Sequence, residues 1–342
     1  MLNSPAKVLI IRLSSFGDIL QCLSAPAAIK KQLPLSEIHW VVREDFSTLL
    51  QHHRSVDRVW SFPRRAGLLG WLNLAWQLRM QNYTHVFDAH ANVRSHILCL
   101  IFRLTYWLKP YVFARRSKER LKRFLLFKLR INRFPNPFRG QISYLAPLAR
   151  WGVEATIPQE AQLDFSPEVK SKVATLPLPD QFIALAPSAA WEMKRWPVGH
   201  WVQLIKQLPD RKFVILGGPE DRFCRDIAKT DLQRCLDLSG QLSLIESCTV
   251  LARAECVISA DTGLLHAADL LAKKTIALIG PTAFGYPSHI KSEIVEVPNS
   301  ELRCKPCSKD GRGKCSQTIY QKCMIEIKPQ TLVTLLDNTR TK

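Results

Sequence analysis

The chain has 342 residues, 46% of them hydrophobic and 23% charged, with 48 Lys and Arg against 29 Asp and Glu. That length supports two domains with separate cores, and the composition excludes a disordered chain, a collagen-like repeat and a small disulfide-stapled scaffold. The net charge of +19 is lopsided, with 24 basic and 7 acidic side chains in residues 1–150 against 24 and 22 in 151–342, so the first half is expected to meet an anion. In chain order, Val8–Leu13 reads as a buried parallel strand, followed by a helix from Ile19 to about Leu33. Strands are expected at Glu37–Val42, Val56–Trp60 and His85–Asp88. The alternation restarts with strands at Phe182–Ala186, Phe213–Leu216, Cys256–Ser259 and Thr275–Ile279, and a helix at Trp201–Leu208. Strands alternating with helices imply two Rossmann-like, doubly wound α/β halves facing across a cleft, with ligands at the carboxyl ends of the strands. Pro158, Pro167, Pro177 and Pro179 mark the boundary. The division expected is 1–165, 166–325 and a C-terminal helix at 326–342 that packs back on the N-terminal domain.

Four loops carry candidate chemistry. Ser14–Asp18 joins the first strand to its helix, and Asp18 is either an N-cap carboxylate or a general base. Pro187–Pro197 offers small residues Ser188, Ala189 and Ala190, then Lys194 and Arg195, a set suited to phosphate or to a plain surface turn. Asp261, Thr262, Gly263 and His266 fall at a strand-to-helix turn whose N–H groups and dipole favour an anion. Gly217–Asp221 adds carboxylates at Glu220 and Asp221 within reach of a ribose. Neither half has G-x-G-x-x-G after its first strand, and no G-x-x-x-x-G-K-[ST] occurs, which argues against nicotinamide, flavin and P-loop chemistry.

In order and spacing, Lys7–Leu20, Phe87–Ser95, Lys194–Pro197, Leu216–Glu220, Asp261–His266 and Gly280–Thr282 together resemble the ADP-heptose:lipopolysaccharide heptosyltransferases, glycosyltransferase family 9, along nearly the whole chain. The resemblance implies a GT-B fold and an inverting transfer with no cofactor and no metal. It makes Asp18 the catalytic base and Lys194 a contact to the donor diphosphate and sugar. Thr262 and Gly263 would bind the diphosphate, with Asp261 and His266 in the same motif. Glu220 or Asp221 would lie near the ribose, and Leu242 would line the adenine pocket. The chain departs from the family at Ala189 and Ala190, where a hydroxylated pair is usual, and in the short Ala283–Tyr286 segment.

Ten cations lie within Arg115–Arg139, opposed only by Glu119 and interleaved with Leu and Phe. An amphipathic basic helix of this kind suits an anionic membrane face or phosphorylated glycolipid, and Arg94, Arg115, Arg116, Arg120 and Arg123 are the acceptor-side candidates. The expected partners are an ADP-sugar, the inner core of lipopolysaccharide and, peripherally, the cytoplasmic face of the inner membrane, for a monomer. A nucleic-acid-binding protein also fits a basic half. It leaves the second Rossmann-like half unexplained, and regularly interleaved stacking aromatics are missing, so no nucleic acid is expected. The start, Met1–Lys7, lacks a basic and long apolar leader, which points to a cytosolic chain with reduced thiols. Ile97–Leu108 is too short to span a bilayer. Cys304, Cys307, Cys315 and Cys323 are spaced either for a structural zinc or as free or redox-paired thiols.

Overall fold

Short runs of branched residues build two parallel sheets in the computed structural model, which describes residues 5–104 and 110–337. The contacts divide the chain into two units, Met1–Glu119 with Gly140–Ser166, and Arg120–Arg139 with Pro167–Lys342. Residues 105–108 of the apolar stretch, the first four of the leader and 338–342 of the expected last helix lie outside the described residues.

The first unit carries β1 (Lys7–Ile11), β2 (Glu37–Arg43), β3 (Arg58–Phe62), β4 (His85–Asp88) and β5 (Val112–Arg115), ordered β3-β2-β1-β4-β5 and all parallel. The strand order reverses between β1 and β4, and Ile11 is paired with both Val41 and Asp88 at that point. A doubly wound sheet opens its ligand crevice there. One face of the sheet packs Leu9, Ile11, Val41 and Val86 against Trp71, Leu74 and Leu78 of the helix Gly67–Arg79 and Leu98 and Phe102 of Val93–Leu104. The expected single helix after β1 is two, Phe16–Cys22 and Ser24–Gln32. Pro26 has no N–H for the Cys22 carbonyl, so the ladder breaks at Leu23. The third strand begins two residues later than expected, at Arg58.

The second unit carries β6 (Ile183–Ala186), β7 (Phe213–Ile215), β8 (Cys235–Asp237), β9 (Cys256–Ala260), β10 (Thr275–Leu278) and β11 (Ser292–Val295), ordered β11-β10-β9-β6-β7-β8. Here the reversal lies between β6 and β9. Trp196, Trp201, Phe213, Ile258, Ile276 and Met324 fill one side of its core, each worth about 1.5–3 kcal/mol when taken fully from water. The C-terminal helix Pro329–Asp337 packs on Val198–Gln207. Leu332, Val333 and Leu336 join the second core. Trp196 Nε1 donates to the Ile327 carbonyl at 2.8 Å beside it.

Residues 120–139, counted with the N-terminal half by position, also pack in the second unit. Only Arg120–Leu129 of the basic stretch is helical. Phe127, Phe134 and Phe138 surround Phe284 edge-on at 4.9–6.1 Å, and Arg139 bonds the Ser288 carbonyl. The charge therefore divides by packing as 17 cations against 10 carboxylates in the first unit and 31 against 19 in the second. Neither unit is near neutral.

Candidate active site

In the first unit the loop after β1 delivers Asp18 to the first turn of the helix Phe16–Cys22. Asp18 does not cap that helix. Ser15 holds the cap position, and its hydroxyl donates to Asp18 Oδ2 at 2.8 Å. Arg12 lies one residue past β1, buried, with Nη2 2.6 Å from the same oxygen and Nη1 donating to the Ala89 carbonyl at 2.9 Å. That second bond ties the ends of β1 and β4 together where the strand order reverses. Tyr144, fully buried on the helix Gly140–Leu145, donates to Asp18 Oδ1 at 3.1 Å. Arg116 donates to the Tyr144 hydroxyl at 2.8 Å and to Ser143 Oγ at 2.9 Å, and its guanidinium lies 3.8 Å over the Tyr144 ring.

Burial raises the Asp18 pKa, but Arg12, Ser15, Arg116 and Tyr144 together outweigh it and bring it down to about 2. The carboxylate is ionised across the physiological range, and its side chain remains 41% exposed, so an incoming hydroxyl can reach it. Behind it, Asp88 is fully buried, accepts from the Ala91 N–H at 2.8 Å and pairs with Arg115 Nε at 2.8 Å. Arg115 and Arg116 are therefore both engaged. Arg94 stays exposed at the start of Val93–Leu104.

In the second unit the candidate donor residues lie on loops leaving four adjacent strands, β9, β6, β7 and β8. Asp261 follows β9 and is buried; its Oδ2 accepts from Thr282 Oγ1 at 2.6 Å and lies 3.3 Å from Lys194 Nζ. A Cβ on Gly285 would stand 2.1–2.4 Å from the Asp261 carboxylate, so only glycine fits behind it. Thr262 is the N-cap of the helix Gly263–Leu270, extended at φ −142° and with no side-chain cap bond. The N–H groups of that first turn have no intrahelical acceptor, and His266 is buried within the turn. Ser188 and Ala189, after β6, are buried, whereas Ala190 is exposed. The Ala189 carbonyl accepts from Arg195 Nε at 3.0 Å. Asp221 is occupied by the Gly218 N–H at 2.8 Å and lies 3.6 Å from Arg195 Nη2, while Glu220 is exposed beside it. Leu242 is half-buried on the turn before Leu244–Arg253.

A family model described as glycosyltransferase family 9 (heptosyltransferase) matches residues 71–315. The chain belongs to glycosyltransferase family 9. Lipopolysaccharide heptosyltransferase 1 of Escherichia coli O18:K1:H7 is 27% identical over 324 residues, covering 86% of this chain and 93% of the relative. Among solved structures, a family 9 glycosyl transferase from Veillonella parvula superposes with a TM-score of 0.77 at 16% identity, over 99% of this chain and 98% of that one. The E. coli heptosyltransferase WaaC, solved with ADP-2-deoxy-2-fluoro heptose, gives 0.67 at 22%, over 97% and 99%. The fold is GT-B, and the protein is a glycosyltransferase.

The geometry of this family 9 enzyme groups the expected donor residues in the second unit and leaves Asp18, Arg94, Arg115 and Arg116 in the first. Arg120 and Arg123 fall with the second unit, Arg123 stacked 4.7 Å from the Phe284 ring. Sequence reasoning missed Arg12 and Tyr144. Arg12 lies within Lys7–Leu20, and its place at the strand end is the signal that marks it; Tyr144 lies 126 residues from Asp18 and nothing local marks it. All ten cysteines are free thiols, and among the described residues no three His, Cys, Asp or Glu side chains converge as a metal-holding group. No helix among the described residues is long and apolar enough to cross a membrane.

Proposed function

We propose that this glycosyltransferase moves a heptose from ADP-heptose to the inner core of lipopolysaccharide with inversion at the anomeric carbon. Asp18 takes the proton of the acceptor hydroxyl as its oxygen forms a bond to that carbon and the bond to ADP breaks. The leaving diphosphate gains charge, which Lys194 and the Thr262 and Gly263 N–H groups would offset. Lys194 would exchange its Asp261 partner for phosphate. Glu220, exposed, is the better ribose ligand, since the Asp221 carboxylate is spent on the Gly218 N–H of its own loop. Leu242 would face the adenine. The acceptor's acidic groups would meet Arg94, Arg115, Arg116, Arg120 and Arg123, with the enzyme peripheral to the cytoplasmic face of the inner membrane, monomeric, and free of nucleic acid.

The observation that carries this reading is the ionised, partly exposed Asp18 carboxylate, oriented by Arg12, Ser15 and Tyr144 at the strand switch point of a family 9 enzyme. Asp18→Asn should lower kcat by roughly 10²–10⁴-fold, the usual span for a general base. It should leave the thermal shift produced by ADP-heptose unchanged. Transfer at the normal rate would remove Asp18 as the base, and a larger shift from another nucleotide-sugar would displace ADP-heptose as donor.

A further inference from the structure

The helix Gly67–Arg79 has two apolar faces. Trp71, Leu74, Ala75 and Leu78 point into the core of the first unit. Leu68, Leu72, Trp76 and Met80 recur at every fourth position on the outside, with Leu69 beside them, and all five are exposed, Leu69 by 81% and Trp76 by 58%. At 100° per residue they occupy an arc of about 120°. A surface helix normally turns a polar face to water; this one turns its second apolar arc outward, with Asn73 and Gln77 in the narrow remainder. The neighbouring helix Val93–Leu104 packs against it and exposes Val93, Leu100 and Leu104 as well. Neither helix contains an Asp or Glu. Arg65, Arg94 and Arg103 are exposed around them; at the Arg64 edge stand Glu44, which accepts the Arg64 backbone N–H at 3.2 Å, and Asp45, which pairs with Arg43.

We infer that this face docks on an anionic lipid bilayer, the outer row of Gly67–Arg79 lying in the interface and the arginines meeting lipid phosphates. A soluble partner with an apolar groove would cover the leucines but gives no reason for a cationic border free of carboxylates on both helices. Anionic lipid headgroups give one, and apolar burial plus charge is how an interfacial helix binds. Trp76 at the middle of the row has the amphipathic ring favoured at headgroup depth. The inference deepens the proposed action on a glycolipid and places membrane contact on these helices rather than on residues 115–139.

The test uses the full chain and two sets of vesicles, phosphatidylcholine alone and phosphatidylcholine mixed with phosphatidylglycerol, in co-sedimentation. The wild-type enzyme should sediment with the mixed vesicles and release with salt. Leu72→Glu combined with Trp76→Glu should weaken that binding roughly tenfold or more, given two large side chains withdrawn from the interface. Arg65→Glu with Arg103→Glu, which leaves the apolar row intact, should do the same and guards against a folding defect in the first pair. Both variants should transfer sugar normally to an acceptor stripped of its acyl chains. Wild-type indifference to the anionic vesicles, or variants that bind as well as the wild type, would overturn the inference. So would a dimer in solution that Trp76→Glu dissociates, because a second copy would then cover the face. Failure of the wild type to use ADP-heptose would instead sink the functional reading and leave the vesicle result standing.

Discussion

Arg12 keeps Asp18 ionised and, by the same pairing, lowers its strength as a base. With a folded pKa of about 2 against about 3.9 in an unfolded chain, the unfolded state takes up the proton first as the pH falls. The stability drawn from the pair is therefore present above about pH 4 and drains away towards pH 2. For catalysis the sign is the same: the wild-type profile of kcat/KM should show no acid limb from Asp18 above the pH at which the fold itself fails. Arg12→Met removes the strongest group lowering the pKa and leaves the opposing burial in place. An acid limb should then emerge near pH 4–5, at or above the ordinary carboxylate value, in a variant whose fold is checked by its melting curve. A flat profile would mean that Arg12 does not govern this carboxylate. Asp18 and Lys194 were legible as residue types on strand-end loops. Their tuning was not, because Arg12, Tyr144 and Arg116 act through contacts that form only when distant segments fold together.

At the scale of elements, the proposed donor site is a row of strand-to-helix turns held at close quarters. Gly285 shows how little slack exists there, its backbone pressed on the Asp261 carboxylate. Gly285→Ala should cost about 1–3 kcal/mol of stability by overpacking and, by displacing Asp261 and with it Lys194, raise the Kd for ADP-heptose by roughly tenfold, measurable by calorimetry. Unchanged affinity would separate Asp261 from donor binding. The interior strands β1, β6, β9 and β10 were legible because each is a mostly apolar run buried on both faces. The strands β5, β8 and β11 were not: Val112–Arg115, Cys235–Asp237 and Ser292–Val295 are three or four residues long, at sheet edges, with charged members. Edge strands lose one side of their burial and with it the pattern that betrays a strand. The two helices after β1 share one apolar pattern, and Pro26 alone marks their break.

At the scale of the whole molecule, counting charge along the chain misplaced it. The seven cations of residues 120–139 belong by packing to the unit that holds the proposed donor loops, because Phe127, Phe134 and Phe138 are drawn to Phe284. Both units are cationic, so the dependence of transfer on ionic strength should be steep for the intact glycolipid and shallow for a neutral acceptor analogue. Equal slopes for the two acceptors would deny the cations a part in meeting the glycolipid. The threading of residues 120–139 also bears on the chain while it is being made. Phe138 leaves the ribosome about 150 residues ahead of Phe284, roughly 7–30 s at ordinary rates of synthesis. For that interval three aromatic rings wait without their partner. They wait among seven like charges and no carboxylate, a composition that discourages sticking to other nascent chains.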